Sequence, residues 1–198
     1  MAKLIAENEL PESLTAMAAI DAAYPGELSR TCEALERGLP VLIECDKGLV
    51  GFFYASLRNR LRSQQIRCNY IDGRVPPQPG QMPMGLVQTM IGQLRDAVRG
   101  GTHGEEDQRR VMVLPHLDLL TTSSGGLTSE AREVVALLYE NPNILWLGFR
   151  DPSFPLPKVI GNLFQHRISI LGISRERLHH VVTQRESRKL GRGGLDVY

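Results

Sequence analysis

The sequence has few cysteines, no long apolar run and almost no net charge, and each absence excludes a class of protein. Its three cysteines, Cys32, Cys45 and Cys68, are an odd number without CxxC spacing, which argues against a disulfide framework or a zinc site. No apolar stretch approaches the roughly 18 residues that a bilayer-spanning helix needs. The amino-terminus is acidic where a signal peptide is apolar. The predicted location is therefore a reducing cytoplasm, with no membrane association.

The formal net charge of +1 excludes a strong electrostatic preference for nucleic acid, and no nucleic-acid partner is expected. Arginine is nevertheless clustered in two places. We interpret both clusters as solvated helix faces; they comprise Arg58, Arg60, Arg62 and Arg67, and Arg185, Arg188, Lys189 and Arg192.

Short apolar runs alternate with segments of helical periodicity, which predicts an α/β fold. Wholly apolar runs are typical of strands buried on both faces, as in parallel sheets. The sequence therefore predicts a three-layer sandwich, in which a five-stranded parallel sheet carries helices on both faces and the strand at Val41 lies near its centre. The predicted strands are 41–43, 67–71, 111–114, 144–147 and 168–171, and the predicted helices are 12–23, 27–37, 51–63, 86–98, 129–139 and 158–164. Functional residues are expected after the carboxyl ends of the strands.

The order of these segments resembles the AAA+ P-loop NTPase family over residues 28–182. A lead-in and helix, 1–27, precede this region, and a basic, glycine-rich tail, 183–198, follows it. The family continues into a helical lid where this sequence ends at Tyr198, so no lid is predicted, and the end is interpreted as a natural stop or a truncation point.

The first strand-to-helix segment stands where the resemblance implies a phosphate-binding loop, GxxxxGK[ST]. In that loop lysine and a hydroxyl contact phosphate and Mg²⁺. Here Gly51 and Phe52 occupy those two positions, and Asp46 adds a negative charge. The prediction is no cofactor, or weakly bound ATP or ADP; the alternative is a strand-to-helix turn that is glycine-rich for steric reasons. The candidate cofactor-binding residues are Cys45, Asp46, Lys47, Gly48, Leu49, Val50, Gly51 and Phe52, with Asp151 at the family's sensor position.

Three further positions carry what remains of the implied catalytic machinery. Pro115-His116 replaces the acidic pair that orients Mg²⁺ and water, so no metal site is predicted and His116 is a candidate base. Arg167 corresponds to the arginine finger, which stabilises charge in a neighbouring subunit; the alternative is a surface salt bridge. Asp151 before Pro152 is also explained as turn chemistry.

Three hypotheses about function follow. In the first, the chain is a non-hydrolysing assembly or regulatory subunit of an AAA+-type homo- or hetero-oligomer. In the second, it is an ATPase with non-standard ligands, Lys47 and His116. In the third, it is a peptide- or partner-binding module that uses the loop 76–85, where Met82 and Met84 provide an adaptable apolar surface.

Overall fold

The computed structural model describes residues 16–74, 85–101, 110–141 and 144–170 of the chain. They form a five-stranded sheet in which every pair is parallel, with helices on both faces. The predicted α/β fold class is confirmed. The strands are β1 (Val41–Cys45), β2 (Arg67–Tyr70), β3 (Arg110–Leu114), β4 (Leu145–Arg150) and β5 (His166–Ile170).

The order of the strands across the sheet is β2-β3-β4-β1-β5. The central strand is therefore β4, and β1 lies beside it, between β4 and β5, near the centre as predicted. The apolar runs are too similar to rank the strands by burial, so the sequence did not distinguish these two positions. The edge strands are β2 and β5, and β2 is the more polar, with exposed residues at both of its ends.

The helices cover both faces of the sheet, as predicted. Alternate strand residues point to opposite faces, so Val41 and Ile43 join one apolar cluster and Leu42 joins the other. Residues of α1, α2 and α3 belong to the first cluster, and residues of α4, α5 and α6 belong to the second. The helices are α1 (Ala16–Ala23), α2 (Pro25–Glu36), α3 (Lys47–Ser63), α4 (Leu86–Gly101), α5 (Ala131–Glu140) and α6 (Lys158–Gly161).

Two apolar stripes with four-residue spacing mark buried helix faces, except that Leu86, at the start of the second stripe, is exposed. In α3, Phe53, Leu57 and Leu61 are fully buried against the sheet. In α4, Met90 and Leu94 fill the opposite cluster. Residues four apart lie on one side of a helix, which explains why such stripes identify the packed face.

The side chains of Leu117 and Phe164 pack closely against the central strand β4 at Gly148. A side chain at this position would overlap Leu117, in a 3-10 helix at Leu117–Leu120, and Phe164. Glycine therefore lets both apolar side chains approach the backbone of β4. This packing holds the segment that follows β3 against the sheet.

Several predictions lie outside the described residues: the lead-in before residue 16, loop positions 76–84, residues 171–182 of the core, and the tail 183–198. The predicted domain boundaries therefore stay predictions. Among the described residues, no helix is long and apolar enough to cross a bilayer. The cytoplasmic location stays a prediction.

Candidate functional site

The segment that follows β1 is a tight turn into α3. One residue, Asp46, separates the end of β1 at Cys45 from the start of α3 at Lys47. The Asp46 side chain accepts a hydrogen bond from Gly48 N at 2.7 Å, which caps one of the free amides of the first helical turn. The predicted start of this helix, near Gly51, is corrected to Lys47, because an aspartate cap makes the earlier start favourable.

The candidate phosphate-binding positions consequently lie in a strand end, a cap and a helix. Residues 47–52 form the first turns of α3, so their amides are directed along the helix and do not surround a central anion. Within this segment Cys45 and Val50 are buried, whereas Phe52 is 49% exposed. The structure gives 45–52 the form of a strand end, a cap and a helix start, and a part of these residues in nucleotide binding stays a prediction.

Lys47 already has a charge partner within the chain. Its ammonium forms an ion pair with Oδ2 of Asp118 and lies 5.5 Å from the centre of the Phe154 ring. The Asp118 side chain is only 4% exposed, and its Oδ1 has no hydrogen-bond partner among the residues described. Burying a charged carboxylate costs free energy unless a cation pairs with it. Lys47 supplies that cation for Asp118.

His116 lies beside this pair, after the end of β3. Burial lowers the pKa of its imidazole, and the charge of Lys47 lowers it further, while Asp118 and Asp72 oppose the shift. The imidazole is therefore neutral at pH 7. A neutral imidazole can accept a proton, and the charged groups that act on it are Lys47, Asp118, Arg74 and Asp72.

Two further aspartates follow strands at this end of the sheet. Asp151 accepts hydrogen bonds from Ser153, which lower the pKa of its carboxyl group; this agrees with the turn interpretation of Asp151. Asp72 accepts a hydrogen bond from Arg74 N and pairs with the Arg74 side chain. We call Lys47, Asp72, His116, Asp118 and Asp151 the carboxyl-edge cluster. The structure brings these residues together, and Lys47, Asp72 and Asp151 have partners there.

Arg167 lies elsewhere. It is the second residue of β5 and is paired in register with Leu42, which places it about three residues, or roughly 10 Å, below the end of β1. Its guanidinium donates a hydrogen bond to the carbonyl of Gly161 at 3.2 Å. The structure does not bring it into the carboxyl-edge cluster, and its action on a neighbouring subunit stays a prediction.

A second polar surface surrounds the edge strand β2. We define the β2 surface as Tyr54, Arg58 and Arg62 of α3 with Arg67 and Tyr70 of β2. The Tyr54 and Tyr70 rings stack with centres 4.6 Å apart, and the Arg58 guanidinium lies 5.9 Å from the Tyr54 ring centre. Burial raises the pKa of both tyrosine hydroxyls, so both rings are neutral and the charge of this surface comes from its arginines.

The arginines of the β2 surface differ from their neighbour Arg60. Arg60 pairs with Asp21 at 3.0 Å, but Arg58, Arg62 and Arg67 form no ion pair with any described residue. Nε of Arg58 is also buried and lacks a hydrogen-bond acceptor there. The sequence did contain a signal, because 54, 58 and 62 are four apart and share a helix face. The sequence did not indicate the stacked tyrosines, because Tyr70 lies on β2 and meets Tyr54 of α3 only when the chain is folded.

Comparisons with known proteins assign no family to this chain. No family model matches it, and no curated protein matches it. A solved structure of the E. coli MS115-1 HORMA:CdnC:Trip13 complex is similar, with a TM-score of 0.49 and 11% sequence identity. The match covers 89% of this chain and 66% of the other chain, just under two thirds of its length. Similarity at this level assigns neither function nor partners.

These findings correct the family assignment. The prediction that the chain belongs to the AAA+ family is not supported, because no family model and no curated protein matches the chain. The direct connection of β1 to α3 through Asp46 agrees with the correction. Strand and helix order alone suggested the family, and many unrelated functions share such architectures.

Proposed function

We propose that this chain is a peptide- or protein-binding module whose binding site is the β2 surface. The observation that carries the proposal is an exposed aromatic and cationic surface whose charges have no partners within the described chain. Tyr70 is 37% exposed although its ring stacks on Tyr54. Tyrosine and arginine are enriched at binding hot spots, where they combine apolar contact with directed hydrogen bonds.

The carboxyl-edge cluster gives less support to an ATPase. The ammonium of Lys47 contacts Asp118, and the nearby Asp46 and Asp151 would repel phosphate. An enzyme using Lys47 and His116 would first have to separate the lysine from a buried carboxylate. No feature of the described cluster favours that rearrangement, so partner binding is the better explanation of the molecule's exposed polar groups.

The proposed site consists of other residues than the loop 76–85 that the sequence suggested. All of that loop except Gly85 lies outside the described residues, so its part in binding stays a prediction. An AAA+-type oligomer is not part of this proposal. The proposal requires only that a partner segment contacts α3 and β2.

The test is selection of binding peptides from a random-sequence display library on the immobilised chain. Selected peptides are then measured against the double variant Arg62→Ser/Tyr70→Ser. The matched control is Arg95→Ser/Tyr139→Ser, which removes the same residue types from α4 and α5, on the opposite face of the sheet. We expect at least a tenfold loss of affinity in the first variant and less than a twofold change in the control.

Two results would contradict the proposal. One is a library that yields no binding peptide. The other is a set of peptides whose affinity is unchanged by Arg62→Ser/Tyr70→Ser, since these bind a different surface. Circular dichroism and thermal melting of both double variants ensure that lost binding is not lost folding.

A further inference from the structure

One side of the β2 backbone pairs with no strand among the described residues. Ile71 N donates to Val113 O at 2.9 Å, so the peptide groups of Ile71 and Asn69 face β3. Backbone groups of successive strand residues face opposite sides, and those of Cys68 and Tyr70 therefore point away from the sheet. No described strand pairs with them, which leaves two N–H and two C=O groups able to accept an added strand.

The side chains beside this free edge carry positive charge. Arg58 and Arg62 lie on α3, on the face that Tyr70 contacts through Tyr54, and Arg67 is exposed at the start of β2. A short strand and a charged residue also protect an edge from unwanted pairing. Protection alone does not account for the exposed Tyr70 ring or for the buried Nε of Arg58 that lacks an acceptor among the described residues.

We infer that the partner segment is acidic and extended, and that it pairs with the free edge of β2 as an added strand. This inference rests on the proposed function. Every second side chain of a strand points to the same face, and such neighbours are about 6.6 Å apart. Acidic residues at alternate positions of the partner therefore face α3, where their carboxylates reach the guanidinium groups of Arg58 and Arg62. Carboxylates bind guanidinium groups in two-bond geometry.

The experiment measures binding of two labelled synthetic peptides by fluorescence anisotropy, at low and high salt. One alternates glutamate with valine and the other alternates lysine with valine. We expect the glutamate peptide to bind the wild-type chain at least tenfold more tightly than the lysine peptide. The charge-reversal variant Arg58→Glu/Arg62→Glu is expected to invert this preference, and Arg62→Glu alone, which leaves the half-buried Arg58 in place, to reduce it.

Strand pairing is tested separately from charge. Peptides N-methylated on alternate residues lose the N–H groups of one edge while keeping their charges. One methylation pattern is expected to weaken binding at least tenfold, and the complementary pattern, which faces solvent, less than twofold. Equal effects of the two patterns would overturn strand addition, because a purely electrostatic contact does not distinguish the edges of a peptide.

Three further outcomes would overturn the inference, and they differ in what they mean for the proposed function. If library peptides require Arg62 and Tyr70 but glutamate peptides do not bind, the proposed function holds and the acidic strand is wrong. If an eight-nucleotide single-stranded oligothymidylate binds more tightly than the glutamate peptide, the arginines and stacked rings serve nucleic acid instead. If no peptide binds at all, both proposals fail together.

Discussion

The carboxyl-edge cluster and the β2 surface both contain charged side chains, but these differ in whether they have partners within the described chain. In the first, Lys47 pairs with the buried Asp118, and Asp151 and Asp72 accept hydrogen bonds from their own turns. In the second, Arg58, Arg62 and Arg67 have no carboxylate partner among the described residues. A position at the carboxyl end of a parallel sheet therefore does not by itself make charged groups available to a ligand. Available charge is the better guide to binding.

The largest expected loss of stability comes from removing the Lys47–Asp118 ion pair. Lys47→Met leaves the Asp118 carboxylate buried without its cation, and we expect the free energy of unfolding to fall by about 1–3 kcal/mol. The full cost of a broken buried pair is larger, but Lys47 is 43% exposed and water screens the contact. Urea unfolding provides the measurement. Lys158→Met, an exposed lysine at the start of α6, is the control and should change stability by less than about 0.5 kcal/mol. Equal losses in the two variants would show that the Lys47–Asp118 pair has no structural role.

At the β2 surface the largest effect on stability should come from the stacked ring. Tyr70→Ala removes the contact with Tyr54, and we expect a loss of about 0.5–1.5 kcal/mol. Tyr70→Phe keeps the ring and should lose less than about 0.5 kcal/mol. Thermal and urea unfolding of the two variants give the comparison. A loss in Tyr70→Ala larger than that in Lys47→Met would reverse the proposed difference, and would mean that the β2 surface is the more structural of the two.

The pH dependence of stability tests whether the imidazole of His116 is buried in its neutral form. Because the folded pKa of His116 lies below its ordinary value of 6.5, the unfolded chain binds the proton more readily. The stabilisation is fully present above about pH 6.5 and is lost as the pH falls through the folded pKa. Wild type should therefore lose more stability than His116→Gln between pH 8 and pH 5.5, with His166→Gln as the control. The charged groups around His116 are Lys47, Asp118, Arg74 and Asp72, and all remain in the variant. Parallel stability curves for wild type and His116→Gln would contradict the burial of a neutral imidazole.

The smallest expected effect is on nucleotide binding. We expect Mg–ATP to bind more weakly than about 100 μM, or less than about 6 kcal/mol of binding free energy. Gly51→Lys/Phe52→Thr should not improve this, because both positions are exposed in the first turns of α3 and the helix offers no cradle for phosphate. Calorimetric titration of the two proteins is the measurement. A dissociation constant in the low micromolar range for either would return the carboxyl-edge cluster to consideration as a nucleotide site.

Much of the fold was predictable from the sequence. The apolar runs at Val41, Val111 and Leu145 marked buried strands, and the spacing of Phe53, Leu57 and Leu61 marked the packed face of α3. These patterns are readable because burial repeats locally, every second residue in a strand and every three or four in a helix. The start of α3 was misplaced because the cap at Asp46 was taken as part of a glycine-containing loop.

The α/β class, the parallel sheet and most of the buried faces could be predicted from the sequence alone. Which charged groups contact each other became visible only in the folded chain. Lys47 reaches Asp118, Arg60 reaches Asp21, and Tyr54 stacks on Tyr70, while Arg58 and Arg62 receive no carboxylate from the described residues. Such pairings depend on strand order and on the distance between side chains that are far apart in the chain. Local periodicity does not encode these distances, because it reports whether a residue is buried and not what it contacts.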